Sequence, residues 1–510
     1  MTKGPYTQRS ARSASFFAIG LRIPSQIATV FGYIVLVRLL SESEFGVYSL
    51  FYAALPTLGT LVSFGMENAL KRYQPEFLRR GENRLAHGLS RRIGLLRLLT
   101  MTISIALVLT YWDSLAPFFK IETYRDHFLL FAIVIMTHFQ CQILTLSLSA
   151  HLLQRYSVGM AAVWSILKVG GYLAADFFTD FNLWMAVAVD VIAYLVYFVG
   201  LKIAYLRTVD YKKGTQDTLP PDERRRLVRY AAYYSFNDAG TLALDSRKES
   251  FFLAAFLDTI SVGAYAFASR FNLMIGRVSP LTLLDSVIQP MFVSLDYSKD
   301  PERIHRYFTL LINTAFLVRI PLLGYIAVFH SQIVEVLFAG RFLEYSHLLA
   351  IVALFSLGQV IGPPITLVAQ MEEKAQFVLA SKVFGIVSVG ASLLLIPKFG
   401  VVGAAVASGV SFTLKNFFIW WFVRTLAVWR GAVRFVIFAL LIWGGFALVA
   451  TPMREAMLDT PLLMLISGGL LWLPFAFMQL RAAIGTEQRQ IIGRLFSGKE
   501  NRLLRLVGLV

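Results

Sequence analysis

Fourteen long apolar segments constrain this chain more than any other feature of its sequence. A helix needs about 20 mostly apolar residues to cross roughly 30 Å of hydrocarbon, whereas a membrane strand needs only about 9–11. The segments do not alternate between polar and apolar residues, so they predict transmembrane helices. They cover 13–40, 46–66, 93–112, 127–150, 157–176, 183–205, 229–256, 260–290, 306–328, 346–369, 375–396, 400–423, 435–450 and 461–480.

The composition agrees with an all-α polytopic membrane protein. Hydrophobic residues make up 57% of the 510 residues and charged residues only 15%, whereas a soluble chain would carry roughly 25% charged residues. This excludes an ordinary soluble enzyme and a disordered chain. Cys141 is the single cysteine, so an intrachain disulfide is excluded and a zinc site has no cysteine pair. We expect neither a cofactor nor a metal.

Basic residues are distributed very unevenly between the two sides of the predicted spans. The side that holds both termini carries 32 Lys or Arg residues, and the opposite side carries five. The positive-inside rule therefore predicts that both termini are cytoplasmic, in a multi-pass protein of the inner membrane. This topology and contact with anionic membrane lipids account for the net charge of +17, so nucleic acid is not needed as a partner. No cleavage site follows the charged start, so we expect the first segment to be retained.

The order of segments predicts two related halves. Leu40–Tyr48 aligns with Leu257–Tyr265 at an offset of 217, and Phe181–Val187 aligns with Phe399–Ala405 at an offset of 218. We therefore predict two pseudo-symmetric six-helix lobes around a central cavity. The predicted domains are an N-terminal lobe (1–205), a cytoplasmic linker (206–228), a C-terminal lobe (229–425), two additional helices (426–480) and a basic amphipathic tail (481–510).

Eleven basic residues lie inside the predicted spans, where an unpaired charge is costly. Snorkelling to the interface accounts for Arg38, Arg97 and Lys415. The remaining cations suggest a net-positive cavity for an anionic solute, above all a phosphate group. The candidate substrate-binding residues are Arg22, Lys168, Arg247, Lys248, Arg270, Arg277 and Lys382.

The acids in the spans leave two interpretations open. Asp190, Asp245 and Asp285 are candidate sites for a coupling proton or sodium ion. Structural pairing with the cations is the alternative, and Asp238 and Glu249 are further partners for it. His138 lies deep in a span without a second ligand nearby in sequence, so a satisfied buried histidine is favoured over a metal ligand.

Four sequence stretches resemble polysaccharide flippases of the Wzx type, in the multidrug/oligosaccharidyl-lipid/polysaccharide (MOP) exporter superfamily. They are Leu36–Leu50, Gly65–Tyr73, Asp245–Tyr265 and Gly400–Ala405, and the resemblance covers most of 13–425. It implies a transporter rather than an enzyme, which moves undecaprenyl-diphosphate-linked oligosaccharide to the periplasmic leaflet by alternating access. It matches the family's helix-seven aspartate to Asp245.

The same resemblance implies partners and leaves alternatives open. A polysaccharide polymerase and a chain-length regulator are further candidate partners for a protein of O-antigen, capsule or exopolysaccharide synthesis. The two extra C-terminal helices are similar to those of lipid II flippases, so a lipid II flippase is one alternative. A multidrug exporter of the same fold is another, although cationic spans disfavour cationic drugs. A membrane polymerase is disfavoured because the chain has no large outer loop.

Overall fold

The computed structural model describes residues 8–210, 219–277, 301–424, 429–456 and 460–483. Within these ranges every long regular element is a helix, and short 3₁₀ turns join some of them. The helices are α1 (Gln8–Leu39), α2 (Glu42–Leu61), α3 (Met66–Arg79), α4 (Asn83–Thr110), α5 (Trp112–Phe119), α6 (Arg125–Ala150), α7 (Gln154–Phe178), α8 (Leu183–Thr208), α9 (Pro221–Leu244), α10 (Glu249–Phe256), α11 (Thr259–Arg277), α12 (Pro301–Phe338), α13 (His347–Val360), α14 (Gly362–Met371), α15 (Ala375–Ala380), α16 (Phe384–Val423), α17 (Arg430–Ala456) and α18 (Pro461–Ala483).

The predicted all-helical, polytopic membrane fold is confirmed. In the described ranges, nine helical segments are long and apolar enough to cross a membrane, and the bent pair α2 and α3 adds a tenth if counted as one span. The predicted span 260–290 continues beyond Arg277 and so lies partly outside the described residues. The predicted tail 481–510 lies outside them after Ala483. Phe177 and Leu448 are about 80% exposed, and in water such helices would leave large apolar patches uncovered.

Two predicted spans are broken where the sequence changes character. The predicted span 46–66 ends at Leu61, and α3 follows at an angle of 62°, so part of the segment between the predicted spans 46–66 and 93–112 is helical. The predicted span 229–256 is divided at Asp245, whose Oδ1 accepts a hydrogen bond from the Arg247 backbone N–H at 2.9 Å. This side-chain acceptor competes with the helical backbone and turns the chain, so the prediction of one continuous seventh helix is wrong.

The helix junctions reproduce the predicted repeat locally. Ser41 Oγ accepts a hydrogen bond from the Glu44 backbone N–H at 3.3 Å, and Asp258 Oδ1 accepts one from the Ser261 backbone N–H at 2.7 Å. Ser41 and Glu44 lie 217 positions before Asp258 and Ser261. Each of these hydrogen bonds caps the start of a helix. In α16, a left-handed Gly400 (φ +57°) breaks the helix where the predicted spans 375–396 and 400–423 meet. The lobe boundaries themselves stay a prediction.

The described residues form two compact units. The first unit comprises those of Met1–Phe267 and Val389–Ala404, and the second comprises those of Ala268–Ser388 and Ala405–Val510. Inside the first unit, the start of α2 packs on the start of α11. The Thr259 carbonyl comes so close to Gly46 that a Cβ there would overlap it, and Ser43 Oγ lies 2.8 Å from Thr259 Oγ1.

Candidate functional site

A polar cavity of about 400 Å³ lies within the first unit. We call it the polar cavity. Its walls come from α2, α3, α4, α6, α8, α9 and the turn after α9. The lining residues are Tyr52, Leu55, Pro56, Gly59, Thr60, Ser63, Glu67, Arg97, His138, Phe139, Gln142, Tyr194, Asp238 and Arg247.

Arg97 is the most deeply buried cation of this cavity, at 1% exposure. Its Nη2 donates to the Gly59 carbonyl at 2.5 Å and lies 3.2 Å from Glu67 Oε1, while its guanidinium carbon lies 4.4 Å from the centre of the Phe139 ring. Its Nε and Nη1 have no hydrogen-bond partner among the described residues. Because an unsatisfied buried donor costs about 1–3 kcal/mol, these closed-off N–H groups would gain from a polar partner that reaches them when a side chain of the wall shifts.

The prediction that Arg97 snorkels is therefore wrong. The predicted span began at 93 and placed Arg97 near a helix end, but α4 begins at Asn83 and continues to Thr110. Arg97 lies near the middle of this helix, so its side chain is held in the interior by Glu67 and Gly59 instead of reaching an interface.

Two carboxylates balance the two guanidinium groups of the lining. Glu67 Oε2 accepts from Gln142 Nε2 at 2.9 Å. Asp238 Oδ2 accepts from Asn68 Nδ2 at 2.7 Å. With Arg97 and Arg247 as the cations, the described lining of the polar cavity is charge-balanced. The predicted net-positive cavity between the two lobes stays a prediction.

A buried ion pair lies behind one wall of the polar cavity. Lys168 Nζ is 2.8 Å from Asp190 Oδ1, and the Asp190 side chain is fully buried. Tyr48 donates to Asp190 at 2.8 Å and Tyr172 at 2.6 Å, and Tyr52 donates to the same carboxylate. Tyr52 also lines the cavity, so this Lys–Asp–Tyr cluster fixes the position of one lining residue.

Three of the predicted cations have acidic partners in the structure. Besides Lys168, Arg247 makes a two-pronged contact with Asp245, through Nη2 to Oδ2 at 2.6 Å and Nε to Oδ1 at 2.9 Å. Lys248 Nζ lies 2.6 Å from Glu249 Oε1, whose side chain is fully buried. The geometry of these three residues is that of structural ion pairs, the alternative to a role in binding a substrate or a coupling ion. Among them, Arg247 also lines the polar cavity.

The other sequence-predicted site residues lie elsewhere or are not described. Arg270 lies on α11 and Lys382 in the short turn Ser381–Val383, and both side chains are partly buried. Arg22 lies on α1 and Arg277 ends α11, but their side chains lie outside the described residues, as does Asp285 altogether. The functional roles of all these residues stay predictions.

Sequence reasoning missed Glu67 and Gln142 and misjudged Arg97. The sequence did contain a signal for the Glu67–Arg97 ion pair. Glu67 directly follows the predicted span 46–66, and Arg97 lies inside the next predicted span, 93–112. His138 Nδ1 lies 3.3 Å from the Tyr194 hydroxyl, as expected for a satisfied histidine, but the residue also lines the cavity. Among the described residues, no group of three His, Cys, Asp or Glu side chains is placed to hold a metal.

The fold is similar to that of known transporters. The chain superposes on the lipid II flippase MurJ in its inward closed conformation with a TM-score of 0.64, over 92% of this chain and 98% of that one, at 12% identity. It superposes on an inward-facing multidrug resistance MATE family transporter of the MOP superfamily with a TM-score of 0.59, over 83% and 96% of the two chains, at 14% identity. At these identities the likeness concerns the fold.

The sequence comparisons identify the family. The chain is 24% identical over 417 residues to the probable low-salt glycan biosynthesis flippase Agl15 of Haloferax volcanii, covering 79% of this chain and 80% of that one. Residues 14–296 match the family described as polysaccharide biosynthesis protein, and the matched segment includes every lining residue of the polar cavity. The resemblance to MOP-superfamily flippases is confirmed, and the chain belongs to the polysaccharide biosynthesis protein family.

Proposed function

We propose that the chain is a flippase that moves a lipid-linked oligosaccharide from the cytoplasmic to the periplasmic leaflet by alternating access, with undecaprenyl diphosphate as the carrier. The product would serve the synthesis of O-antigen, capsule or exopolysaccharide. The polar cavity carries the proposal, because it lies inside an apolar helical unit and within the family-matched segment. The flippase named among the relatives supports the same substrate class.

The chemistry of the cavity suits a transporter of polar headgroups. Hydrocarbon offers a polar group no hydrogen-bond partners, so an unassisted crossing leaves each group unsatisfied. The polar cavity supplies such partners through Arg97, Glu67 and Gln142, and its volume of about 400 Å³ lies within the range of roughly 300–1,000 Å³ typical of ligand pockets. The apolar outer surface meanwhile suits helices that remain in lipid.

Orientation and coupling belong to the proposal as well. The basic residues, 32 on one side and five on the other, support an inner-membrane protein with cytoplasmic termini. Ion coupling through Asp190, Asp245 or Asp285 remains a prediction, and a polymerase and a chain-length regulator remain candidate partners.

Complementation tests the proposal. We would express the chain in cells that lack their own flippase but still synthesise a lipid-linked oligosaccharide, and measure surface polysaccharide. The wild type should restore export. Arg97→Gln should lose most of it because it removes the buried guanidinium, whereas Arg91→Gln, an exposed change on the same helix, should retain it at an equal membrane level. Wild-type protein that is abundant in the membrane without restoring export would contradict the proposal.

A further inference from the structure

We infer that the polar cavity receives a sugar ring of the transported lipid, and that the diphosphate lies outside it. This inference rests on the proposed function and adds which part of the substrate the cavity recognises. Three features of the lining carry it: unused hydrogen-bonding groups of both kinds, balanced charge, and aromatic rings beside the polar groups.

The unused groups include donors and acceptors. Arg97 Nε and Nη1 are buried donors without a partner among the described residues, and Gln142 Oε1 is a buried acceptor in the same situation, so a ligand reaches them once side chains of the wall shift. A sugar hydroxyl both donates and accepts, so neighbouring hydroxyls of one ring can satisfy both kinds of group. The oxygens of an ionised diphosphate accept only, and would leave Gln142 Oε1 unsatisfied.

The charges of the lining oppose a diphosphate in the same place. Glu67 and Asp238 both line the cavity and would repel an anion there. The charges of the guanidinium groups are already balanced, since Arg97 lies 3.2 Å from Glu67 and Arg247 lies 2.6 Å from Asp245. A neutral, hydroxyl-rich ring enters such a site without disturbing either ion pair.

The aromatic side chains of the lining provide a surface against which the apolar faces of a sugar ring can pack. Phe139, Tyr52 and Tyr194 line the cavity together with the polar groups. Their positions are fixed: Phe139 lies under the Arg97 guanidinium, Tyr52 donates to Asp190 and Tyr194 contacts His138. Rigid aromatic walls with a few placed polar groups are the usual composition of a selective small-ligand pocket.

A binding measurement with two lipids tests the inference. Purified protein in lipid nanodiscs is titrated with the undecaprenyl-diphosphate oligosaccharide of the source strain and, separately, with sugar-free undecaprenyl diphosphate. Gln142→Met keeps the side-chain length and removes the amide, and Glu67→Gln removes the charge. We expect each variant to bind the oligosaccharide lipid at least about tenfold more weakly, or about 1.4 kcal/mol, and the sugar-free lipid within about twofold of wild type.

Controls separate this inference from the proposed function. If Glu67→Gln fails to fold, Gln142→Met decides the test, because this variant leaves the Arg97–Glu67 ion pair in place. Free oligosaccharide released from the lipid should compete for binding, whereas inorganic diphosphate should not. Equal weakening for both lipids, no weakening by Gln142→Met, or competition by diphosphate alone would overturn the sugar site while leaving flippase function intact. Failure of wild-type protein to bind either lipid would contradict the proposed function itself.

Discussion

Lys168 and Asp190 form an ion pair of 2.8 Å that the surrounding helices bury almost completely. The two residues lie on adjacent helices, α7 and α8, and three tyrosine hydroxyls contribute further hydrogen bonds to the carboxylate. Both charges are therefore satisfied by each other and by their neighbours, and the pair holds Tyr52 at the wall of the polar cavity.

Removing one member of this pair should destabilise the protein far more than removing both. Breaking a buried ion pair typically costs about 3–5 kcal/mol, because the remaining charge is left uncompensated. We expect Asp190→Asn and Lys168→Met each to lower the thermal unfolding temperature strongly, and the double variant to recover much of the loss. A double variant as unstable as the sum of the two singles would show that the residues do not stabilise each other.

A Cβ at Gly46 should disrupt the packing of α2 on α11. Gly46→Ala places a methyl group against the Thr259 carbonyl, a backbone atom that cannot rotate away. The matched control is Gly88→Ala in α4, where nothing lies within 4 Å of the new Cβ, and where the change should stabilise by about 0.5–1 kcal/mol. Thermal unfolding in detergent would decide, and equal stability of the two variants would contradict the close approach.

The caps at Ser41 and Asp258 should differ in what they tolerate. Each accepts a hydrogen bond from the backbone N–H three residues later, but Ser41 Oγ also donates to Glu44 Oε2 at 2.7 Å. Ser41→Ala and Asp258→Ala should each cost about 0.5–2 kcal/mol, and Asp258→Ser should be nearly neutral in thermal unfolding. Ser41→Asp should destabilise, because a carboxylate cannot donate and would face the Glu44 carboxylate; a neutral Ser41→Asp would contradict this capping arrangement.

The sequence predicts the helices well because crossing a membrane requires long apolar segments, and these are visible residue by residue. The caps at Ser41 and Asp258 and the break at Gly400 are local features within the segments aligned at offsets of 217 and 218, although the alignment did not specify them. The break at Asp245 was missed although the polar run 245–250 marks it, because the apolar residues on both sides of the run were interpreted as one span. The Glu67–Arg97 pair was missed because it joins α3 to α4 across space, and no spacing rule specifies which charges meet.

Cysteine labelling would test the orientation. In a Cys141→Ser background, a cysteine at Arg79 should be shielded from impermeant thiol reagents in intact cells, and one at Lys120 should react. Both positions are exposed, so burial does not explain a difference between them. The reverse pattern would contradict the orientation derived from the charge asymmetry, and labelling after permeabilisation provides the control for Arg79.

Transport in reconstituted vesicles tests the central claim most directly. The chain is incorporated into liposomes that carry the undecaprenyl-diphosphate oligosaccharide in both leaflets, and an impermeant glycosidase is added outside. We predict that wild-type protein exposes both leaflet pools to cleavage and that Arg97→Gln slows access to the inner pool. Cleavage restricted to the outer pool, with intact and correctly inserted wild-type protein, would contradict the account.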